Sequence, residues 1–138
     1  MGGDFGLAVT IPAATLALNK HAGLALHLVG NQAKIASHIG RLSSAHRARC
    51  KVVHAPQRVE MDDKPSIALR NRRESSMRLA IDLVKDGQAH AAVSAGNTGA
   101  LMAIARFVLK TIPGIDRPAI CGAMPGTNGV THMLDLGA

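Results

Sequence analysis

The sequence predicts an α/β fold built on a mainly parallel sheet with helices on both faces. Three observations point to it. Short apolar runs at Leu24–Gly30, Lys51–Ala55 and Ala89–Val93 have the length and composition of buried strands. Each run ends at a glycine, proline or asparagine turn, and stretches with helical spacing separate the runs. Strands that alternate with helices in this way imply parallel pairing through helical crossovers.

The elements follow in order. Met1-Gly2-Gly3-Asp4-Phe5-Gly6 reads as a turn. Thr10 is placed to cap a helix that starts at Ile11-Pro12, where proline is tolerated in the first turn. Ile11, Ala14 and Leu18 share one face of it, and Asn19 to Gly23 close it. Asn31, after the first strand, caps a weaker helix carrying Ile35, Ala36 and Ile39. The polar, basic segment Arg41 to Arg49 has no assignable order. The second strand starts at Cys50 and runs through Ala55, with a loop from Pro56 to Lys64 after it. Pro65 opens a short helix through Arg70. Ser75 and Ser76 offer the cap for a helix bearing Met77, Ala80, Ile81 and Val84, which Asp86-Gly87 ends. Leu101, Ile104, Ala105, Val108 and Leu109 mark a further helix that stops near Lys110. Pro118–Met124 and Val130–Leu136 are the last strands. The turn between them, Pro125 to Gly129, is short, so this pair is antiparallel.

Composition narrows the function classes. A chain of 138 residues, 47% hydrophobic, is sufficient for one domain and excludes a disordered chain. With two Phe and neither Trp nor Tyr, the core is built from Leu, Ile, Val, Ala and Met. No apolar run approaches the roughly 20 residues that span a bilayer. No secretory signal is visible. Cys50 and Cys121 each fall in a predicted strand and read as small buried hydrophobes, neither a disulfide nor a metal pair. The expected location is cytoplasmic. The formal net charge is +7, and ten of the sixteen Lys and Arg lie between Arg41 and Arg78, opposed there only by Glu60, Asp62, Asp63 and Glu74. Such a patch suits an acidic carrier protein, an anionic membrane surface or nucleic acid, or is simply a solvated basic face. The near absence of aromatics argues against nucleic acid.

The stretch Val93-Ser94-Ala95-Gly96-Asn97-Thr98-Gly99-Ala100 carries the functional reading. It runs from a strand through a glycine turn into a helix start. In an open α/β sheet that point lies at the carboxyl edge, where ligands bind. Turn amides and the helix start favour a phosphate or an oxyanion. The alternative is purely local: Asn97 or Thr98 is the N-cap, and Gly96 and Gly99 make the turn and a close helix–sheet contact. The stretch is neither a Walker loop nor a dinucleotide fingerprint, which leaves no support for a dehydrogenase. The seven histidines show no metal-ligand spacing. His27, His54, His90 and His132 read as packed or strand-edge residues.

Five stretches, in order along the whole chain, resemble the bacterial phosphate acyltransferases, the fatty acid/phospholipid synthesis protein family. They are Met1-Gly2-Gly3-Asp4 with Gly6; Leu28-Val29-Gly30; Lys64-Pro65-Ser66 through Arg70 with Ser75-Ser76-Met77; Val93 to Met102; and Gly114-Ile115-Asp116-Arg117-Pro118-Ala119 with Leu134-Asp135-Leu136-Gly137-Ala138. The resemblance implies a three-layer α/β/α sandwich of the isopropylmalate dehydrogenase and phosphotransacetylase type. It implies transfer of a fatty acyl group from acyl carrier protein to inorganic phosphate, to give an acyl phosphate for phospholipid synthesis. No metal or organic cofactor is implied. A homodimer and peripheral association with the inner membrane surface are. The family has a strand before the Met-Gly-Gly-Asp turn and continues well beyond Asp135-Leu136-Gly137-Ala138. Residues 1–138 are therefore expected to be the amino-terminal part of a single, incomplete domain, and activity of this part alone is not implied.

The resemblance also distributes roles. Asn97 is the catalytic donor, to phosphate or to the developing oxyanion. Asp4 is either an acid/base or a turn-stabilising aspartate. Gly3, Lys64, Arg70, Ser94, Gly96, Thr98 and Gly99 are the substrate and phosphate contacts. Arg72, Arg73 and Arg78 read as an exposed helix face. The alternative function is a basic binding module for anionic lipid or nucleic acid.

Overall fold

The computed structural model describes residues 3–134, so Met1, Gly2 and the Asp135-Leu136-Gly137-Ala138 stretch lie outside the described residues. The elements are α1 (Leu7–Lys20), β1 (Leu26–Gly30), α2 (Gln32–Ile39), α3 (Ser44–Ala48), β2 (Cys50–His54), α4 (Pro65–Asn71), α5 (Ser76–Lys85), α6 (Thr98–Leu109), β3 (Cys121–Gly126) and β4 (Gly129–Leu134).

Helix α1 begins four residues before the expected start. Gly6, at φ +52°, precedes it, and its carbonyl accepts from both Val9 N (3.3 Å) and Thr10 N (3.1 Å). The Thr10 hydroxyl donates to the same carbonyl at 2.9 Å, so Thr10 is a residue of the helix and caps nothing. Pro12 lies inside α1, on its exposed side. The other caps follow the sequence. Asn31 accepts from Lys34 N at 3.1 Å and starts α2, and Ser75 accepts from Arg78 N at 3.2 Å and starts α5. The unassigned basic segment contains α3, capped by Ser43 through a 3.2 Å bond from His46 N. Its single turn was hidden because five residues are too few to show a period.

Strands β1 and β2 pair in parallel, Leu26 opposite Cys50 and Gly30 opposite His54. Helices α2 and α5 pack on β1, α2 and α3 pack on β2, and α1 packs on α2. Strands β3 and β4 form a separate antiparallel hairpin, Cys121 opposite Leu134, around a two-residue Thr127-Asn128 loop. The described residues thus hold two two-stranded sheets and not one larger sheet. The expected strand at Ala89–Val93 is absent among them. That segment has no ladder partner, and Val93 is 95% exposed. Small apolar composition signals burial, but a strand exists only where its N–H and C=O groups are paired. Cys121 is likewise exposed rather than buried, since β4 covers only its edge; both cysteines are free.

The main core is therefore helical. Val59, Ala68, Met77, Ile81, Ala100, Ile104 and Val108, contributed largely by α4, α5 and α6, are all buried, with Leu69, Leu101 and Ala105 against them. Ile11 and Leu18 of α1 and Ile35 of α2 are also buried.

Arg49 ties the end of α1 and the loop before β1 to the start of β2. Its Nη1 donates to the carbonyls of His21 (3.0 Å), Ala22 (3.0 Å) and Leu24 (3.3 Å), and its Nη2 donates to Leu18 at 2.9 Å. These carbonyls lie at the end of α1 and in the loop into β1, where a guanidinium also opposes the negative end of the helix dipole. The Arg49 carbonyl in turn accepts from Leu26 N at 2.8 Å. Replacing Arg49 by Ala is expected to lower unfolding stability by about 2 kcal/mol, the scale of charge-assisted hydrogen bonds. Arg47→Ala, on the exposed side of α3, is expected to change it by less than about 0.5 kcal/mol. Urea titrations of the two variants check this.

Candidate functional site

Three carboxyl-edge or helix-entry turns define the site: Gly3 to Gly6, residues 60–64, and Ser94 to Gly99. The first and third approach backbone to backbone, and the second and third are joined by the Asn97 side chain. Gly3 has φ +85°, and a Cβ built there would stand 2.8 Å from the Ala95 carbonyl oxygen. Only glycine lets the first turn lie this close to the third.

Within the 94–99 turn, Ser94 Oγ accepts from Gly96 N at 3.1 Å, a local bond that fixes the bend. Asn97 Oδ1 accepts from Ala100 N at 2.9 Å and caps α6. Asn97 Nδ2 donates to three carbonyls of the preceding loop: Glu60 at 3.3 Å, Met61 at 3.0 Å and Asp63 at 2.9 Å. An amide nitrogen has two hydrogens, so these three acceptors share them. Gly99 allows the close fit that follows. A Cβ there would be 3.1 Å from Pro65 Cγ, at the start of α4.

The 60–63 turn is braced from its own side as well. Asp63 Oδ2 accepts from Glu60 N at 3.0 Å and from Arg72 Nε at 3.2 Å. These bonds, the backbone one first, hold the Asp63 carboxyl below the usual carboxylate range against a small opposing desolvation. Arg58 pairs with Glu60 at 2.7 Å. Gln57 bridges to Ser75, with Ser76 N donating to the Gln57 carbonyl at 3.0 Å, which anchors the loop to the start of α5.

The structure thus gathers Gly3, Ser94, Gly96, Asn97, Thr98, Gly99 and Lys64 into one neighbourhood. Lys64 is exposed at the cap position of α4, and Asp4 is exposed on the first turn. Arg70 lies in the last turn of α4, exposed and without a contact to the 94–99 turn among the described residues. The free donor expected of Asn97 is engaged with backbone carbonyls. Arg72 and Arg78 are not a bare helix face: Arg72 holds Asp63, and Arg78 Nε meets both Asp82 oxygens at 3.0 Å. Arg78 also lies 5.8 Å from the Phe107 ring centroid. Arg73 is exposed, as expected. The Asp63–Arg72 brace was missed from sequence. Its only trace there is a carboxylate beside Lys64-Pro65, which does not reveal a partner nine residues away.

Cys50 and the histidines add no nucleophile or metal centre to this site. Burial pushes the Cys50 thiol up, with Arg49 opposing less strongly. Among the described residues no group of three or more His, Cys, Asp or Glu is placed to hold a metal ion. His54, at the end of β2, accepts from Gln32 N through Nδ1 at 3.2 Å and serves the start of α2.

The chain matches the family described as "Fatty acid synthesis protein" over residues 1–138. The chain belongs to that family. Curated relatives named phosphate acyltransferase are 58% identical in Hydrogenovibrio crunogenus, 54% in Alcanivorax borkumensis and 56% in Methylococcus capsulatus. Each match covers 100% of this chain and 41% of the relative, so the chain spans about two fifths of the length of these family members. No helix among the described residues is long and apolar enough to cross a membrane.

The Asp63 brace has a pH signature. A carboxyl whose folded-state pKa is depressed stabilises fully above its unfolded value and loses that contribution as pH falls through the folded value. Unfolding stability is therefore expected to drop as pH falls below about 4, and Asp63→Asn is expected to flatten that drop. Denaturant titrations of both proteins across acidic pH measure it.

Proposed function

We infer that this chain supplies part of a phosphate acyltransferase that moves a fatty acyl group from acyl carrier protein to inorganic phosphate. The observation that carries the reading is the convergence of the Gly3, Lys64 and Ser94–Gly99 turns, in a chain whose relatives bear that name. In the finer fold we propose, these residues belong to one three-layer α/β/α sandwich of the isopropylmalate dehydrogenase and phosphotransacetylase type. There residues 1–138 form part of a single domain.

The chemistry is undemanding of cofactors. A phosphate oxygen attacks the thioester carbonyl carbon, forming the new C–O bond and a tetrahedral oxyanion. Collapse breaks the C–S bond and releases the carrier thiolate, a stable leaving group with a thiol pKa of about 8.5. Phosphate is already anionic at neutral pH, so positioning and charge stabilisation are the main needs. Lys64 and the backbone amides of Asn97, Thr98 and Gly99 are the proposed phosphate contacts, with the Ser94 and Thr98 hydroxyls beside them, while the Gly96 amide is held by Ser94 Oγ. Gly3 keeps the first turn close, and Asp4 there is the proposed proton acceptor. Arg70 is better placed for the acidic carrier protein than for phosphate, because it stands at the far end of α4. A cytoplasmic homodimer, associated peripherally with the inner membrane surface, completes the proposal.

A second reading has its own observation. No carboxylate lies between Asp4 and Glu60, while seven Lys and Arg do. That favours a module that binds an anionic lipid surface or nucleic acid, with affinity falling steeply as salt rises.

The test joins this chain to the portion of the Hydrogenovibrio crunogenus relative that it does not span, and follows release of carrier thiol from acyl–acyl carrier protein. Thiol release that requires inorganic phosphate is the expected result. A folded chimera with no phosphate-dependent release contradicts the acyltransferase reading, and salt-sensitive binding to anionic vesicles in its place supports the second one.

A further inference from the structure

We propose that Asn97 is a positioning residue, and that the group it positions is the Lys64 ammonium. The inference rests on the phosphate-transfer reading above and deepens it. Both halves of the Asn97 amide are engaged with the backbone. Oδ1 caps α6 through Ala100 N at 2.9 Å, and Nδ2 donates to the carbonyls of Glu60, Met61 and Asp63 at 3.3, 3.0 and 2.9 Å. No hydrogen of that amide is left to meet a substrate oxygen.

Those three carbonyls belong to one tight turn, and Asp63 O is the last carbonyl before Lys64. One side chain therefore fixes where the Lys64 backbone starts, relative to the start of α6. Two further contacts act in the same direction. The Asp63 carboxylate holds Glu60 N and Arg72, and Pro65 seats against Gly99 at the other side of Lys64. Lys64 itself is exposed and makes no ion pair among the described residues. Its neighbours Glu60 and Asp63 are instead paired to Arg58 and Arg72. A lysine is a compact point charge on a flexible stem, so its aim depends on a rigid backbone origin. Asn97 provides that origin, and Lys64 is the part that faces phosphate.

Asn97→Ser separates the two halves of the amide. Serine is an equally good N-cap, so the start of α6 is retained, while the donor to the 60–63 turn is lost. Lys64→Ala is an exposed substitution and leaves the fold intact. The experiment measures inorganic phosphate binding by calorimetry, together with KM for phosphate and kcat, in the chimera described above. The expected result is an increase of about ten-fold in phosphate Kd and KM for Asn97→Ser, the scale of a charge-assisted contact, with kcat changed much less. The double variant with Lys64→Ala should be no worse than Lys64→Ala alone. Additive losses in the double variant, or a loss in kcat with phosphate binding unchanged, overturn the inference while leaving the acyltransferase reading standing. If the wild-type chimera binds phosphate with the expected coupling but releases no carrier thiol, the acyltransferase reading fails and the positioning role survives. If the wild-type chimera binds no phosphate, the positioning role falls.

Discussion

A single side-chain amide, that of Asn97, joins two segments more than thirty residues apart in sequence. It bonds four backbone groups: one N–H at the start of α6 and three carbonyls of the 60–63 turn. Turn carbonyls and helix-end amides withdrawn from water are costly unless paired. With Asn97 in place the turn closes on α6, Pro65 can seat against Gly99, and α4 lies along α6. The buried cluster of Ala68, Ala100 and Ile104 between these helices depends on that approach. The geometry of the candidate site and the packing of the main core are thus one construction.

This construction divides labour between the two halves of the described chain. The helical core of α4, α5 and α6 holds the 60–64 and 94–99 turns rigidly. The parallel pair β1–β2 and its helices form a second unit, whose coherence comes from Arg49 and the buried Leu18 and Ile35. Gly3 brings the first turn against Ala95, where any side chain would collide with a carbonyl oxygen. The electrostatics follow the same division. Carboxylates begin again only at Glu60, where Glu60 and Asp63 pair with Arg58 and Arg72, while Asp62 and Lys64 make no ion pair among the described residues.

Local signals were the most legible part of the sequence. Asn31 caps the helix it was expected to cap, and the caps offered as Ser75 or Ser76 and as Asn97 or Thr98 fall to Ser75 and Asn97, because an N-cap is written within four residues; the expected Thr10 cap is absent. The parallel pair β1–β2 and the antiparallel last hairpin were also readable, from apolar runs and a short turn. What failed required knowledge of distant partners. The Ala89–Val93 run has the composition of a buried strand, yet nothing among the described residues pairs with it. Cys121 was expected inside for the same reason and is exposed. At the site, the glycine turn was legible from its own pattern of turn residues before a helical run, and Lys64 came from the resemblance. The engagement of Asn97 with carbonyls at 60, 61 and 63 was invisible, because no local pattern encodes a bond across thirty-four residues or more.

The most direct test of this arrangement is a crystal structure of the chimera with inorganic phosphate bound. The expected result places phosphate at the Lys64 ammonium and the amides of residues 97–99, with Asn97 Nδ2 still on the carbonyls of Glu60, Met61 and Asp63. Phosphate held directly by Asn97, with the 60–63 turn released, would contradict it.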